Sequence, residues 1–352
     1  MNIIKKAFLP LISIFVFASC EVEFSPNAEW TETPVVYCLL DQDDDTTFVR
    51  VQRCFLGTDN NYQYAAIADS INYRQGDITV IMEEWNGKLG SDGLLAHTGD
   101  APRRIFNFNY QEIVNKDSGA FYNTIQPVYS CPTAGQLDTN CVYRLKVIKN
   151  ATGDTIAQAE TSLIYGQMRL SKPNNVTMFQ FAGTSGSKTC EITWSALKGA
   201  RQYQPVIRFF YRDFIVDQTV LPWDTTITPH YLDIPCNVVK SNMRDTYFTT
   251  FLEQNYFFTT IKNALKDSVC NRNAIDTVLV FINCCTEDLA AYIYASHPAG
   301  TFSSQEPFNY TNIEGGIGVF AARRRNISFT VNTPVSSASN YIKSLKALNV
   351  GF

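Results

Sequence analysis

The sequence predicts a mainly β chain of two β-sandwich modules, the second carrying a helical insertion, and three observations lead there. Aromatic residues make up 13% of the 352 positions, 24 of them Phe and 18 Tyr, and they recur in short runs beside Val, Ile and Thr. Such runs fit a pleated, half-buried surface. Clusters of Asn, Asp, Gly and Pro separate the runs at fairly even spacing, as turns do between short strands. Behind an amino-terminal leader the chain is also longer than one hydrophobic core usually spans, so two cores are expected.

The first module is assigned to residues 34–168. Its opening stretch "PVVYCLLDQDDDTTFVRVQRCFLG", residues 34–57, reads as a strand, an acidic turn and a second strand, in which Phe48, Arg50 and Gln52 alternate with Val49, Val51 and Arg53. "NYQYAAIADS" reads as a short helical connection, and "DITVIMEEW" as a strand ending at an Asn86-Gly87 turn. The runs "RIFNFNY", "QPVYSC", "CVYRLKVIKN" and "DTIAQAETSLI" supply further strands, the last two joined through "NATGD".

The second module is assigned to residues 169–352, with the boundary at the polar stretch "SKPNNVT". "CEITWSALKGARQYQPVIRFFYRD" gives two strands, and its Trp194 and Tyr203 resemble the Trp-to-Tyr pattern of fibronectin type III and immunoglobulin-like sandwiches. In residues 241–267 the period changes: Phe248, Phe251, Leu252, Phe258, Ile261 and Leu265 fit one helical face, with Ser241 or Asp245 as caps. "DTVLVFINCC" returns to strand, "TEDLAAYIYAS" reads as a helix capped by Thr286, and "SASNYIKSLKALNVGF" as a closing amphipathic helix.

The amino terminus predicts the compartment. Lys5 and Lys6 precede the apolar segment Ala7 to Ala18, which is broken only by Pro10 and Ser13, the layout of a secretory signal. Phe17-Ala18-Ser19-Cys20 resembles the bacterial lipobox, so residues 1–19 are expected to be removed and Cys20 to be lipidated with palmitate-type chains, followed by a tether over residues 20–33. Each buried acyl CH₂ contributes about 0.8 kcal/mol, so two or three chains would hold the protein on a membrane. Glu21 and Glu23 directly after the cysteine resemble the export signal of Bacteroidota lipoproteins bound for the outer face of the outer membrane.

Charge and composition remove several function classes. A formal charge of −4, with no basic cluster beyond Arg323-Arg324-Arg325, leaves no footprint for nucleic acid, and that triplet reads as a strand end with its charges in solvent. Asp41, Asp43 and Asp45 begin a calcium-loop pattern, yet Thr46 stands where the loop needs Gly and Gln52 where it needs Glu, so a solvated turn is expected. His97, His230 and His297 lie far apart with no second ligand at useful spacing; neither a metal nor another cofactor is expected. "GTSGS" lacks the nucleophile-elbow order, and the glycines of "GGIGVF" read as permitting close backbone approach before a strand. Glu83-Glu84 and Glu287-Asp288 are adjacent acids, unsuited to act as an acid/base pair on one face.

Ten cysteines less Cys20 leave nine, so at least one thiol is unpaired within the chain. Cys131 and Cys141 flank a turn-rich loop and are a candidate disulfide, as are Cys38 and Cys54, with packing as free thiols the alternative. Cys284-Cys285 is expected half in the core and half exposed. Asp followed by Ser or Thr and then an aliphatic residue or Thr recurs along the chain and resembles the O-glycosylation acceptor of exported Bacteroidota proteins, with Ser70, Thr155 and Thr225 as candidates. The same tripeptide also starts strands after turns.

Two segments together, residues 34–57 and "EPFNYTNIEGGIGVFAARR" at 306–324, resemble a family of Bacteroidota outer-membrane lipoproteins that carries a domain of unknown function. The resemblance implies a lipid-anchored, surface-facing protein of two β-sandwich-like modules. It is expected to be a non-enzymatic binding or scaffolding module for a glycan, peptide or outer-membrane protein partner, with Trp223 either packed in the core or serving as a contact. The alternatives are a hydrolase or glycan-processing enzyme whose acids converge only in three dimensions, and a purely structural envelope component.

Overall fold

The computed structural model describes residues 32–54, 61–91, 94–114, 122, 124–174, 176–182, 188–217, 224–242, 245–265, 271–296, 310–334, 336 and 339–352. Among them, strands dominate and short helices fill the connections. Strand β1 (Pro34–Leu40) turns back into β2 (Thr46–Arg53) as the sequence predicts, with Val36, Cys38, Leu40, Val49 and Val51 all facing inward. The acidic turn between them closes on itself: the Asp44 amide donates to the Asp41 carbonyl at 3.2 Å and the Asp43 amide to the Asp41 carboxylate at 3.2 Å.

On one side β2 continues into β7 (Gln126–Pro132) and β6 (Asn109–Ile113), all antiparallel. On its other side β1 meets β17 (Ile317–Asn332), a strand from the far end of the chain, and pairs with it in parallel from Val35↔Ile317 to Leu40↔Ala322. Beyond Ala322 the same strand pairs antiparallel with β16 (Asn271–Cys285), which leads on to β12 (Gln202–Asp217), β13 (Asp224–Pro235) and the short β14 (Val239–Lys240). One nine-stranded sheet results.

Two smaller sheets complete the β structure. The first, of five strands, holds β3 (Ile78–Leu89), β4 (Leu95–Thr98), β5 (Arg104–Asn107), β8 (Cys141–Lys149) and β9 (Thr155–Ser162); α1 (Asn61–Ala65) and α2 (Ala68–Ile71) lie in the connection ahead of it. The second, of three strands, holds β10 (Leu170–Lys172), β11 (Thr189–Ser195) and β15 (Tyr247–Glu253).

Each small sheet shares a core with part of the large one. Val80, Met82, Tyr143, Leu145 and Val147 pack with Val36, Leu40 and Val49, and Ile313, Phe320 and Ala322 of the distant carboxyl-terminal segment join them. In the second core Ile192 and Trp194 meet Ile207, Phe209, Val280 and Ile282, together with Phe257 and Ile261 of α3 (Gln254–Ala264) and Tyr341 and Leu345 of α5 (Asn340–Lys346). Each such side chain, fully withdrawn from water, contributes about 1.5–3 kcal/mol before entropy is counted. A third cluster forms where Leu289 of α4 (Glu287–Ser296) covers Cys285, Val319 and Ala321.

Several local expectations change. β3 runs through Asn86 and Gly87 without turning; a side chain at Gly87 would put Cβ 2.5 Å from the Asn140 carbonyl oxygen, so this glycine serves close approach. The helical face expected from Phe248 onward begins only at Gln254, because Tyr247–Glu253 is strand with Phe248, Thr250 and Leu252 buried in alternation. A spacing of four, Phe248 to Leu252, satisfies both periods, and Thr249 and Thr250 tip the segment to strand. The Thr286 hydroxyl donates to the Ala322 carbonyl at 3.2 Å instead of capping α4, whereas Ser339 does cap α5, accepting from the Ile342 amide at 3.2 Å. Cys284 and Cys285 are both buried, on opposite faces, the second because α4 lies over it.

The expected Cys131–Cys141 disulfide is not formed: both thiols are buried and free, one on β7 of the large sheet and the other at the start of β8 of the five-stranded sheet. The two thiols face different partners, Cys131 the Pro132 carbonyl and Cys141 the Glu84 carboxylate. Cys38 and Cys54 are free as well; Cys38 sits opposite Val49 in the ladder, and the Cys54 amide bonds the Thr33 carbonyl.

The glycines before β17 permit the parallel pairing. Gly318 has φ +120°, and an added Cβ would overlap the Val36 carbonyl oxygen of β1. Asn312 completes the arrangement by exchanging hydrogen bonds of 2.7 and 3.0 Å with the Phe320 backbone. Gly318→Ala is therefore expected to cost about 3–5 kcal/mol through combined backbone strain and overlap, read as a lowered urea midpoint; a loss under about 1 kcal/mol would contradict the close β1–β17 contact.

Candidate functional site

Glu84, Asp138 and Cys141 form a compact group of potential ligand atoms within 4.8 Å of one another. Glu84 points inward from β3, Asp138 lies in the loop between β7 and β8, and Cys141 opens β8 opposite Asn86. Two arginines, Arg103 just ahead of β5 and Arg104 at its start, fill the space around them. Arg104 donates to Glu84 at 2.8 and 2.5 Å, and Arg103 donates to Asp138 at 2.9 Å and to the Cys141 sulfur at 3.0 Å. Glu84 is only 1% exposed, so its charge depends on these guanidiniums.

This chemistry is that of a structural ion cluster. Burial, helped by the Glu84 carboxylate, pushes the Cys141 thiol up to about 11, so it is neither a nucleophile nor a ready soft ligand near neutral pH. A dication placed among the three donors would compete with two fixed positive charges. The cluster fastens the β7–β8 loop, and Tyr143 helps: its hydroxyl accepts from the Asp138 amide at 2.6 Å and donates to the Asp138 carbonyl at 3.1 Å.

Glu83 faces the opposite side of β3, as adjacent residues on a strand must, and is also neutralised. Lys146 reaches it at 2.7 Å and the Trp85 indole at 3.0 Å. Beside them Arg144 lies 4.9 Å over the Trp85 ring and donates to Glu160 at 2.6 Å, which in turn meets His97 at 3.2 Å. Among the described residues, neither acid faces a second unpaired carboxylate across a cleft, the arrangement that glycoside hydrolysis needs.

The acidic turn and the arginine triplet, expected in solvent and apart, meet each other. Arg325 binds Asp44 at 2.7 and 2.9 Å and approaches Asp41 at 3.4 Å, while Arg324 binds Asp43 at 3.0 Å and the Gly166 carbonyl at 3.1 Å. Asp41 is buried, and desolvation raises its carboxyl pKa against the opposing pull of the Asp43 amide and Arg325. These acids are thus occupied by guanidiniums.

The remaining candidates are dispersed. Cys20, Trp223, His297 and the "GTSGS" loop lie outside the described residues. Ser70 is half-buried in α2, Thr155 is exposed as the first residue of β9, and Thr225 lies in β13 with its backbone opposite Val216. His230 stacks on Tyr211 with ring centroids 5.2 Å apart and lies 3.5 Å from Asp213.

A feature that sequence reading missed is an aromatic groove of about 230 Å³ where β15 passes into α3. Its walls carry Phe251 and Tyr256, 54% and 46% exposed, with Asn237 and Glu253 between them and Cys236 and Leu252 beneath. The Tyr256 hydroxyl donates to the Pro235 carbonyl at 3.1 Å, which holds the ring plane. Tyr247 stands further along the same outward face of β15. The available signal is parity: Phe248 and Phe251 are an odd number of residues apart, so on a strand they point to opposite faces.

No family model matches this chain, and no curated protein matches it. The geometry of its own residues therefore carries the functional reading. For the ion cluster that reading is testable by pH. The Asn140 amide, followed by Arg103, holds the Asp138 carboxyl below the usual range, so its contribution to stability is complete above the unfolded value near 3.9 and is lost as the pH falls through the folded one. The melting temperature of Asp138→Asn should lie below wild type at neutral pH, with the gap closing below about pH 4; a pH-independent gap would show that the charge is not what matters.

Proposed function

We propose that this protein is a lipid-anchored binding module of the bacterial outer membrane, facing the cell exterior, that holds a glycan and does not transform it. The observation that carries the reading is the groove at Phe251 and Tyr256: two exposed rings, one of them fixed, beside a carboxylate and an amide that form no ion pair or side-chain hydrogen bond among the described residues. A ring face covers the C–H side of a pyranose while Glu253 and Asn237 meet its hydroxyls, the usual division of labour in a small concave site. The arginine-bound state of Glu84 and Asp138 supports binding over hydrolysis.

Two β-sandwich modules are the architecture of this proposal, divided as residues 34–168 and 169–352, with residues 313–322 returning to the first core. Support comes from the two tyrosines near strand starts. The Tyr203 hydroxyl accepts from the Leu197 amide at 2.8 Å and donates to its carbonyl at 3.3 Å, and Tyr143 treats Asp138 the same way. Such back-bonding resembles the tyrosine corner of immunoglobulin-like sandwiches. Trp194 packs 5.9 Å from Tyr203 in the second core.

The glycan reading is tested by affinity electrophoresis against soluble polysaccharides, including xylan, laminarin, mannan and starch. At least one should retard the wild type, and Phe251→Ala and Tyr256→Ala should each weaken that retention about tenfold, equivalent to about 1.4 kcal/mol. Tyr231→Ala, an exposed ring elsewhere, should not. Equal retention by all variants, or none by wild type, overturns the reading.

Anchoring and modification are tested by intact mass on protein recovered from envelopes. The chain should begin at Cys20 with acyl chains attached and carry added hexose at Thr155, the exposed candidate acceptor. Cys20→Ser should lose labelled palmitate and leave the membrane fraction, and Thr155→Ala should lose the sugar mass. Unmodified polypeptide in the wild type removes both proposals.

A further inference from the structure

A second cavity, about 630 Å³, lies at the other end of the second core and shares no residue with the aromatic groove. β12 and the start of β16 form one wall and α5 the other. Phe214, Ile342 and Phe352 supply apolar surface, and the Phe352 ring is fixed edge-on against Phe209 at 5.8 Å and Tyr211 at 6.2 Å. Its volume falls in the range of sites that enclose a small organic molecule.

The charges around it are uneven. Among the side chains that line it, three are cationic, Arg212, Arg272 and Lys346, and one is a carboxylate, Asp276. Arg272, only 8% exposed, is held at the inner end by Asp213 at 2.9 Å and by the Val350 carbonyl. Arg212 and Lys346 are exposed and form no ion pair or side-chain hydrogen bond among the described residues. Two cations without an ion-pair partner beside an apolar wall make a site with opposite preferences at its two ends.

We propose that this cavity binds a monoanionic amphiphile, an alkyl or aryl carboxylate or sulfonate, with the anionic head between Arg212 and Lys346 and the apolar body against Phe214, Ile342 and Phe352. A neutral lipid would leave both cations without gain, and an inorganic anion would leave the apolar wall wet. The site is independent of the glycan groove, so either can fail alone.

Fluorescence titration of the full folded chain with 8-anilinonaphthalene-1-sulfonate tests it. One saturable site is expected, displaced by dodecanoate but not by dodecanol, dodecyltrimethylammonium or inorganic phosphate at the same concentration. Arg212→Glu combined with Lys346→Glu should weaken dye binding at least tenfold with an unchanged melting temperature, since both side chains are exposed. Phe214→Ala, which removes part of the apolar wall while keeping both cations, should also weaken displacement by dodecanoate. Undiminished binding in the charge-reversed variant, or equal displacement by dodecanol or phosphate, overturns the proposal.

Discussion

Strand β17 belongs to both halves of the molecule, and its parallel contact with β1 is the constraint on which the remaining structure rests. Up to Ala322 it lines the first core with Phe320 and Ala322; past that residue it runs beside β16 and brings Val331 into the second. Parallel neighbours need a long crossover, and here almost the whole described chain lies between the two strands. The pairing is close because Gly318 has no side chain where β1 presents the Val36 carbonyl. A β-carbon there would push the strands apart and separate one core from the other.

At the changeover the fold concentrates charge. Arg323, Arg324 and Arg325 follow directly after Ala322 and face the Asp41–Asp45 turn, with the Gly166 carbonyl as a further acceptor. Three segments distant in sequence are thereby held at one point: the first hairpin, the connection between the two cores and the shared strand. Exposed pairs of this kind contribute little each, but buried Asp41 would be left uncompensated without Arg325, and that makes the arrangement selective. The Glu84 cluster repeats the pattern inside the five-stranded sheet, where guanidiniums from the start of β5 and the residue before it neutralise acids from a strand and a loop. Acids that look chemically promising in isolation are consumed in holding loops to sheets.

Surfaces left outside these contacts carry the groove and the cavity. β15 keeps Phe248 and Leu252 for the core and turns Phe251 outward, and the helix that follows positions Tyr256 beside it. At the opposite end of the same core α5 stops short of closing over β12 and β16, leaving a cavity whose rim is cationic and whose wall is aromatic. Both features arise where a strand meets a helix, because two elements of different period cannot cover each other completely.

Local periodicity in the sequence determined the strands, the first hairpin, the β8–β9 hairpin and the closing helix, since alternation and turn chemistry act over a few residues. It also determined that Glu83 and Glu84 could not act together, because neighbours on a strand face opposite ways. It could not decide the segment from Phe248 to Leu252, where a spacing of four serves helix and strand alike, nor the Gly87 position, where the glycine answers to Asn140 more than fifty residues away. Tertiary structure alone decided which charges meet: Arg325 and Asp41 are 284 positions apart, and no local rule connects them. The same holds for Cys131 and Cys141, close in sequence yet placed on different sheets, and for Phe251, whose exposure depends on which strand lies beside it. Local stereochemistry sets the elements, while desolvation and charge neutralisation between distant elements set what each face can do.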